Sequence, residues 1–305
     1  MYRLHYPIST SLLWLTMIIF AVMLIAYSLK TFIFFQRVKE EFQHPVRLSF
    51  FPTISISMLL ISIALLEINE SASFYFWIAG TMMHLYLTLK ILSIWIHHTK
   101  FKIHHMGPAW FIPVVGNILV PVAGVQHAST EVSWFFFSTG LIFWLALFAI
   151  VLNRIIFHAP LVQKMMPTLF ILIAPPAVGF ISYVKLTGTI DAFSRILYYF
   201  ALFLTLLLTF QTKLFVRLKF FISWWAFSFP IAAITIATAL LYSKTDMVLY
   251  KYIASTLYIA LVGIILVLLS RTIVSIAKKD ICVEEVEPVV KSGEIEPVLQ
   301  GATNK

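Results

Sequence analysis

Proline residues are distributed unevenly among the apolar stretches of this chain, and this distribution constrains its fold more than any other feature. Nine long apolar stretches run at residues 10–36, 49–66, 72–96, 110–126, 133–157, 166–185, 192–211, 222–242 and 250–276. The first, third, fifth, seventh and ninth stretches contain no proline. The others carry the prolines that we place inside a membrane, which are Pro52, Pro113, Pro121, Pro175, Pro176 and Pro230.

A proline inside a helix removes a backbone donor and clashes with the carbonyl group four residues before it, so the helix bends and a carbonyl loses its partner. In lipid, such a defect is tolerated only where protein or a water-filled cavity satisfies the freed group. The alternation therefore divides the stretches into kinked inner helices and straight outer helices. This is the arrangement expected of a pore.

The composition of the chain requires a membrane. Hydrophobic residues make up 61% of the chain, charged residues make up 11%, and the mean hydropathy is +0.94. Most of the stretches reach the ~20 residues that a transmembrane helix needs, so we predict an all-α polytopic membrane protein. No cleavable signal peptide is evident. The single cysteine, Cys282, follows the last stretch, which excludes disulfides and cysteine-based metal sites, and we expect no metal and no cofactor.

Lysine and arginine predict the orientation of the spans because they accumulate in cytoplasmic loops. The loops on the opposite side carry mostly acidic residues. We therefore expect the basic ends and the C-terminus to be cytoplasmic, in a multi-pass protein of the plasma (inner) membrane. These loops also account for the net charge of +9, so no nucleic-acid partner is expected. The basic ends carry Arg37, Lys39, Arg47, Lys100, Lys102, Arg154, Lys164, Lys213, Arg217, Lys219, Arg271, Lys278 and Lys279.

Four of the prolines recur with a nearly constant period. Pro52, Pro113, Pro175 and Pro230 are 61, 62 and 55 residues apart, which indicates tandem units. Each unit contains a kinked helix, a short acidic loop, a straight helix and a basic loop. The complete units run over 45–97, 108–158, 167–213 and 221–278. The stretch 10–36 precedes them as the second half of a fifth unit without its kinked helix.

The chain divides into one transmembrane domain, residues 1–278, and a short tail, residues 279–305. The tail has no aromatic residue and contains two similar acidic segments, 285–289 and 294–298. We predict that it is a disordered cytoplasmic tail, because such a composition cannot bury enough apolar surface to fold.

Acidic residues are absent from the centres of all nine stretches. Proton-coupled carriers, cation pumps and aspartyl membrane proteases depend on buried carboxylates, so the sequence argues against these classes. Neither acidic rings nor a carbonyl filter for cations is visible. A neutral inner wall with basic mouths favours anions through its electrostatic potential.

Several strings in the chain carry a family resemblance. They are Glu-Phe-Gln-His-Pro-Val-Arg at 41–47 with Ser-Phe-Phe-Pro at 49–52, Trp-Ala-Phe-Ser-Phe at 225–229, and the proline-containing segments 108–117 and 174–178. They resemble the TehA/SLAC-type anion channel family, which includes bacterial tellurite-resistance proteins, yeast malate and sulfite carriers, and plant guard-cell anion channels. The resemblance covers roughly residues 10–276.

This resemblance implies ten helices in five tandem hairpins, in a quasi-fivefold arrangement with the kinked inner helices around a central pore. It also implies a homotrimer with one pore per subunit and a phenylalanine that plugs each pore, which by motif position is Phe229. Nine of the ten helices are present and the first inner helix is absent. Either the start of the chain is late or the chain is a nine-helix form. The first alternative is favoured because nine spans with a cytoplasmic C-terminus place the N-terminus outside the cell, and one more helix before them would place it in the cytoplasm.

Other candidate residues have competing interpretations. Phe227 and Phe229 are about 200° apart on a helix, so only one can face the pore, and we assign packing to Phe227. His44 and Arg47 are candidates for the cytoplasmic mouth, although Arg47 equally fits an anchoring role. His84 is expected to be a packed, hydrogen-bonded histidine. For the loop 97–105, rich in histidine, contact with anionic lipid is favoured over a metal site or pH sensor.

The sequence therefore predicts a passive anion channel with a neutral pore gated by Phe229 and lined by the kinked helices. Its partners would be small inorganic anions or carboxylates, the lipid bilayer and two further copies of the chain. One alternative is a secondary carrier that exports C4-dicarboxylates, tellurite or sulfite. Another is a non-conducting membrane scaffold or sensor. An enzyme is not expected, because no nucleophile, base and orienting residue are grouped together.

Overall fold

The computed structural model describes residues 6–279, with side chains from residue 9 onward, and this part contains α-helices and 3₁₀-helices but no strand. The tail predicted for residues 279–305 lies outside the described residues except for Lys279. The α-helices are α1 (Tyr6–Ile33), α2 (Phe35–Gln43), α3 (Thr53–Leu65), α4 (Glu70–His97), α5 (Ile112–Val115), α6 (Val120–His127), α7 (Thr130–Phe157), α8 (Ala174–Thr187), α9 (Ala192–Phe210), α10 (Thr212–Val216), α11 (Ser228–Thr245) and α12 (Val248–Ala277).

The described residues contain nine helical spans that are long and apolar enough to cross a membrane, which confirms the predicted polytopic fold. The first apolar span is Ser9–Ile33 of α1, and no predicted span end differs from the observed one by more than three residues. The first span ends at Ile33 rather than at residue 36, because the chain breaks at Phe34 and continues as α2. Helix α2 carries Arg37, Lys39 and two glutamates, so its charged face belongs at the membrane surface.

Spans with and without proline differ in helix type. The proline-free spans are continuous α-helices, formed by Ser9–Ile33 of α1 and by α4, α7, α9 and α12. Each proline-bearing span begins as a 3₁₀-helix and then becomes α-helical. The 3₁₀ segments of these spans are Arg47–Phe50, Pro108–Phe111, Gly116–Leu119, Gln163–Ile173 and Ile222–Phe227.

The prolines lie where 3₁₀-helix gives way to α-helix. Pro52 directly precedes α3, and Pro113, Pro121, Pro175 and Pro230 lie in the first turns of α5, α6, α8 and α11. The first amides of an α-helix have no acceptor within that helix, so proline is tolerated there. The helix distortion expected at each of these prolines therefore takes the form of a change from 3₁₀-helix to α-helix.

Burial also separates the two classes of span. In the proline-bearing spans, in chain order, 44%, 89%, 67% and 50% of an apolar 18-residue stretch are buried. The corresponding values for the proline-free spans are 6%, 39%, 33%, 39% and 6%. Every proline-bearing span is thus more buried than every proline-free one, as expected for inner and outer helices.

The spans pack as a repeated hairpin. Each inner helix packs on the continuous helix that follows it, in the pairs α3–α4, α6–α7, α8–α9 and α11–α12. The inner helices also pack on one another in chain order, α3 on α6, α6 on α8 and α8 on α11. Within the described residues, α3 and α11, at the ends of this row, have no comparable packing against each other. The remaining outer helix, α1, packs on α3.

Gly140 allows α7 to approach the fourth span closely. A Cβ added at this position would lie 2.5 Å from Ile118 Cγ1 and 3.0 Å from the backbone nitrogen of Ile118. Ile118 is fully buried, so it has little freedom to move. The approach of the two spans therefore requires a residue without a side chain here.

We expect Gly140→Ala to destabilise the protein by about 1–3 kcal/mol, the usual effect of overpacking a filled core. Gly263→Ala on α12 is the matched control, because an added Cβ there has no neighbour within 4 Å. The control should be neutral or slightly stabilising, since alanine favours a helix over glycine by about 0.5–1 kcal/mol. Melting temperatures of both variants in detergent measure the difference, and equal melting temperatures would contradict this packing.

Candidate functional site

Four carbonyl groups of the fourth span accept hydrogen bonds from side chains of its own and neighbouring spans. This is the condition under which an interrupted helix is stable in lipid. The donor and acceptor pairs are Thr88 Oγ1 with the Pro113 carbonyl at 2.6 Å, Asn117 Nδ2 with the Val114 carbonyl at 2.7 Å, Trp77 Nε1 with the Val120 carbonyl at 3.0 Å, and Ser182 Oγ with the Ile118 carbonyl. Protein groups thus hold this most buried of the spans in its broken conformation.

A buried histidine links the second, third and fourth spans. His84, on α4, is fully buried, and its Nδ1 lies 2.9 Å from Ser55 Oγ on α3. Ser55 Oγ also donates to the carbonyl of Pro52, which leaves Nδ1–H of His84 as the donor to Ser55. In this tautomer Nε2 carries no proton, and it has no hydrogen-bond partner within the described residues.

The Nε2 side of the His84 ring lies against Gly116. A Cβ added to Gly116 would lie 2.5 Å from His84 Cε1 and 2.6 Å from Nε2. The buried, hydrogen-bonded position predicted for His84 is confirmed. The His84 ring therefore occupies the space where α4, an outer helix, meets the 3₁₀ segment Gly116–Leu119 of the fourth span.

The two phenylalanines of the string 225–229 have different surroundings. Phe227 is 7% exposed, and its ring centroid lies 4.5 Å from that of Phe170, 5.7 Å from that of Phe215 and 5.6 Å from that of Trp224. Phe229 is half-buried, lies directly before Pro230, and packs against the hydrophobic core. No ring-to-ring contact of Phe229 occurs within the described residues. The structure thus holds Phe227 in an aromatic cluster and leaves Phe229 outside it.

The 3₁₀ segment before α11 is fixed on two sides. Trp225 Nε1 donates to Thr272 Oγ1 on α12 at 3.0 Å, and Ser223 Oγ donates to the carbonyl of Lys164 at 2.5 Å. These bonds attach the segment to the following outer helix and to the start of the sixth span. Phe229 therefore lies just after a 3₁₀ segment that is hydrogen-bonded to two neighbouring spans.

Arg154, near the basic end of α7, is buried without a carboxylate partner. The residue is 4% exposed. Its Nη1 donates to the carbonyl of Ala159 at 2.7 Å, and its Nε has no hydrogen-bond partner within residues 6–279. No ion pair of Arg154 occurs among the described residues, where the pairs are Lys30 with Glu41 at 2.7 Å and Arg37 with Glu40 at 4.0 Å. A buried guanidinium of this kind provides positive charge that no acidic group of the described chain neutralises.

Sequence reasoning treated Arg154 only as a loop charge. Its position, three residues before the end of a continuous apolar helix, could have indicated burial, because arginines at membrane depth normally face protein.

His44 and Arg47 lie at the entry to the second span. The backbone amides of Val46 and Arg47 donate to His44 Nδ1 at 3.1 and 3.2 Å, so His44 caps the 3₁₀ segment that follows. Arg47 is exposed and lines a groove between α1 and α3. Of the two candidate mouth residues, His44 therefore caps the backbone, and Arg47 lies on the surface of this groove.

The loop 97–105 is attached to α2. Lys100 Nζ donates to the carbonyl of Gln43 at 2.6 Å, and burial lowers the pKa of this lysine. Nδ1 of His105 accepts from the backbone amide of Lys102. Among the described residues, no group of three or more His, Cys, Asp or Glu side chains could hold a metal ion.

A family comparison decides the classification of the chain. The family model described as "Voltage-dependent anion channel", SLAC1, matches residues 2–273. The chain belongs to this family. The resemblance inferred from the strings at 41–52 and 225–229 is thereby confirmed, and the SLAC1 family match extends over the same spans that the structure describes.

Relatives of the chain within the SLAC1 family come from plants, archaea and bacteria. S-type anion channel SLAH2 of Arabidopsis thaliana is 32% identical over 76% of this chain and 45% of its own length. Uncharacterized transporter MJ0762 of Methanocaldococcus jannaschii is 30% identical over 87% of this chain and 85% of its own length. Tellurite resistance protein TehA homolog of Haemophilus influenzae is 26% identical over 70% and 66%, respectively. The chain spans less than half the length of the plant channel.

Membership of the SLAC1 family and the helical spans together establish a multi-pass membrane protein of an anion-transporting family.

Proposed function

We propose that the chain is a passive anion channel whose pore runs along the row of inner helices α3, α6, α8 and α11. The observation that carries this proposal is the set of buried, interrupted spans, within which the described residues include no acidic side chain. Acidic residues lie at span ends, such as Glu70 and Glu131 in the first turns of α4 and α7. A neutral wall repels anions less than an acidic one, and it offers no carboxylate for proton coupling. Pro52, Pro113, Pro121, Pro175 and Pro230 would line or shape this pore.

The charge at the basic side favours entry of anions. Arg154 is buried and has no acidic partner among the described residues, so its field is not cancelled locally. In a site of low dielectric constant, such a charge attracts anions more strongly than an exposed lysine does. We assign Arg154 the role of concentrating anions at that end of the pore.

Phe229 is the proposed gate. Its ring lies at the junction between the fixed 3₁₀ segment 222–227 and α11, and among residues 6–279 it has no ring-to-ring contact. A large apolar ring in a narrow pore excludes water and ions, and a change of rotamer would open the path. The cluster around Phe227 makes that ring the less suitable gate.

The proposal includes the orientation and assembly of the chain. The basic ends and the C-terminus face the cytoplasm of a plasma (inner) membrane, following the distribution of lysine and arginine. Three copies form a homotrimer with one pore in each. The small anions that the channel carries are inorganic anions or carboxylates.

The alternative with specific support is a secondary carrier, because one relative is named a transporter and another a tellurite resistance protein. Chloride flux into liposomes that contain the purified chain and a halide-sensitive dye distinguishes a channel from a carrier. Potassium and valinomycin set the membrane potential in this assay. A channel should give flux that follows the potential and is not accelerated by chloride on the other side.

Acceleration by chloride or malate on the other side, with saturation, would instead support the carrier. Absence of flux from both the native chain and Phe229→Ala, with correct folding shown by unchanged size-exclusion profiles, would leave only the non-conducting scaffold or sensor. Both results contradict the proposed channel.

A further inference from the structure

Exposed basic side chains surround the C-terminal end of α12, at the basic side of the protein. Three of them lie in the connection between α9 and the 3₁₀ segment before α11, and two lie at the end of α12 itself. All of these side chains are exposed. The set consists of Lys213, Arg217, Lys219, Arg271 and Lys278, and we call it the C-terminal basic surface.

The 3₁₀ segment before α11 holds the two parts of this surface together. Trp225 of this segment donates to Thr272 of α12 at 3.0 Å. Trp224 of the same segment donates through Nε1 to the carbonyl of Lys219 at 3.1 Å, and the ring of Phe215 contacts the segment as well. The end of α12 and the connection after α9 are therefore fixed against one common element.

No acidic group of the described residues neutralises the C-terminal basic surface. The segments 211–227 and 265–279 contain neither aspartate nor glutamate. None of the five basic side chains forms an ion pair within residues 6–279. The described chain thus leaves positive charge on this surface uncompensated, and such a surface attracts acidic groups.

The residues that follow α12 in the sequence carry negative charge. Of the 13 acidic residues of the chain, six fall within 280–305, where the basic residues are Lys291 and Lys305. Membrane insertion does not account for these acids, because orientation follows lysine and arginine and depends little on acidic residues. The two similar segments 285–289 and 294–298 therefore have the composition of a partner for a basic surface. The six acids are Asp280, Glu284, Glu285, Glu287, Glu294 and Glu296.

The length of the chain allows both acidic segments to reach the C-terminal basic surface. Glu285 can lie at most about 20 Å from Lys279, and Glu294 at most about 50 Å, because each residue adds about 3.3–3.6 Å at most. Arg271 lies about 9 Å before Ala277, the last residue of α12, at about 1.5 Å per residue. Either segment can therefore return to the end of α12 and to the connection fixed beside it.

We propose that the acidic segments 285–289 and 294–298 dock on the C-terminal basic surface of their own chain. Glutamate carboxylates pair there with the guanidinium and ammonium groups of Arg217, Lys219 and Arg271. Each exposed ion pair is weak, but the covalent link to α12 raises the local concentration of the acids, so that several pairs form together. Anionic lipids compete for the same basic groups without such a link.

Docking would regulate the conduction proposed above, and this consequence rests on the proposed function. The docked carboxylates cancel positive charge at the basic ends of the spans, so fewer anions collect there. Salt weakens the contact, because the Debye length falls from about 10 Å at 0.1 M to about 3 Å at 1 M. The docking itself is measured without ion flux.

Photocross-linking of the purified full chain in phosphatidylcholine nanodiscs tests the docking. A photoreactive amino acid in place of Val286, which lies between two glutamates, should form products with peptides from 211–227 and 265–279, identified by mass spectrometry. The triple variant Arg217→Gln, Lys219→Gln and Arg271→Gln should lower the yield about fivefold or more, because three weak pairs are lost together. Salt at about 1 M should lower the yield of the native chain in the same way.

The matched control removes three exposed charges elsewhere on the basic side, on α2 and in the loop attached to it. The substitutions are Arg37→Gln, Lys39→Gln and Lys102→Gln, and they should leave the yield unchanged.

A charge exchange provides a second test. Glu285→Lys with Glu287→Lys should abolish the product, and Lys219→Glu with Arg271→Glu in that background should restore it. The first pair of substitutions leaves every described residue unchanged, so the test stays decisive even if the triple variant does not fold.

Three results would overturn the docking. The first is an equal yield from the triple variant and its control. The second is a product between isotopically labelled and unlabelled copies in place of a product within one copy, which would place the acidic segments on a second copy. The third is loss of the product when phosphatidylglycerol replaces phosphatidylcholine, which would show that anionic lipid covers the surface. A product formed by a chain without anion flux would uphold the docking and contradict the proposed channel alone.

Discussion

Replacing Phe229 with alanine is expected to raise the anion current through the reconstituted protein by about tenfold or more. If the ring blocks the pore in most molecules, the open state is a minor population of about 0.1–10%. Removing the ring makes the path permanent, so the gain equals the inverse of that population. Single-channel and macroscopic currents in planar bilayers measure it.

Phe227→Ala is the matched control for this prediction. Its ring contacts Phe170, Phe215 and Trp224, so its loss should lower stability without opening the pore. Truncation of a buried phenylalanine lowers the free energy of unfolding by about 3–5 kcal/mol in well-packed cores. A current that rises in Phe227→Ala and stays unchanged in Phe229→Ala would show that the gate is assigned to the wrong ring.

Gly116→Ala should be among the most destabilising single-methyl changes in the chain. The new Cβ would overlap two ring atoms of His84, at 2.5 and 2.6 Å, and would lie 2.9 Å from Ile56 Cδ1. His84 is fully buried and bonded to Ser55, so its ring has no free direction in which to move. We expect a loss of about 1–3 kcal/mol, measured by thermal unfolding in detergent.

The double variant His84→Ala with Gly116→Ala tests the cause of that loss. His84→Ala alone removes a hydrogen bond and leaves a cavity, so it should destabilise the protein. In its presence the methyl group at position 116 meets empty space and should have little further effect. The two changes should thus be non-additive by about 1 kcal/mol or more. Additive losses would mean that the backbone at Gly116, and not the histidine ring, sets the requirement for glycine.

Much of the fold could be predicted because membrane insertion depends on simple patterns. Apolar length gave all nine spans to within three residues at each end. Proline positions separated the interrupted spans from the continuous ones, since proline acts locally on its own helix. The break at Phe34 was missed, because no proline or glycine marks it and the charges of α2 only follow it.

The site was less predictable from the sequence. The family strings identified the span that contains Phe229, but the contrast with Phe227 depends on Phe170 and Phe215, which are distant in the sequence. The pairing of His84 with Gly116 and the burial of Arg154 also depend on tertiary packing. Such contacts join residues far apart in the chain, and no single-sequence pattern specifies them.

The central claim is selective conduction of anions, and the reversal potential of the Phe229→Ala current tests it most directly. With a tenfold gradient of potassium chloride across a planar bilayer, an anion-selective pore should reverse close to the chloride equilibrium potential, about 59 mV in magnitude. A reversal potential near zero, or of the opposite sign and close to the potassium equilibrium potential, would contradict the account.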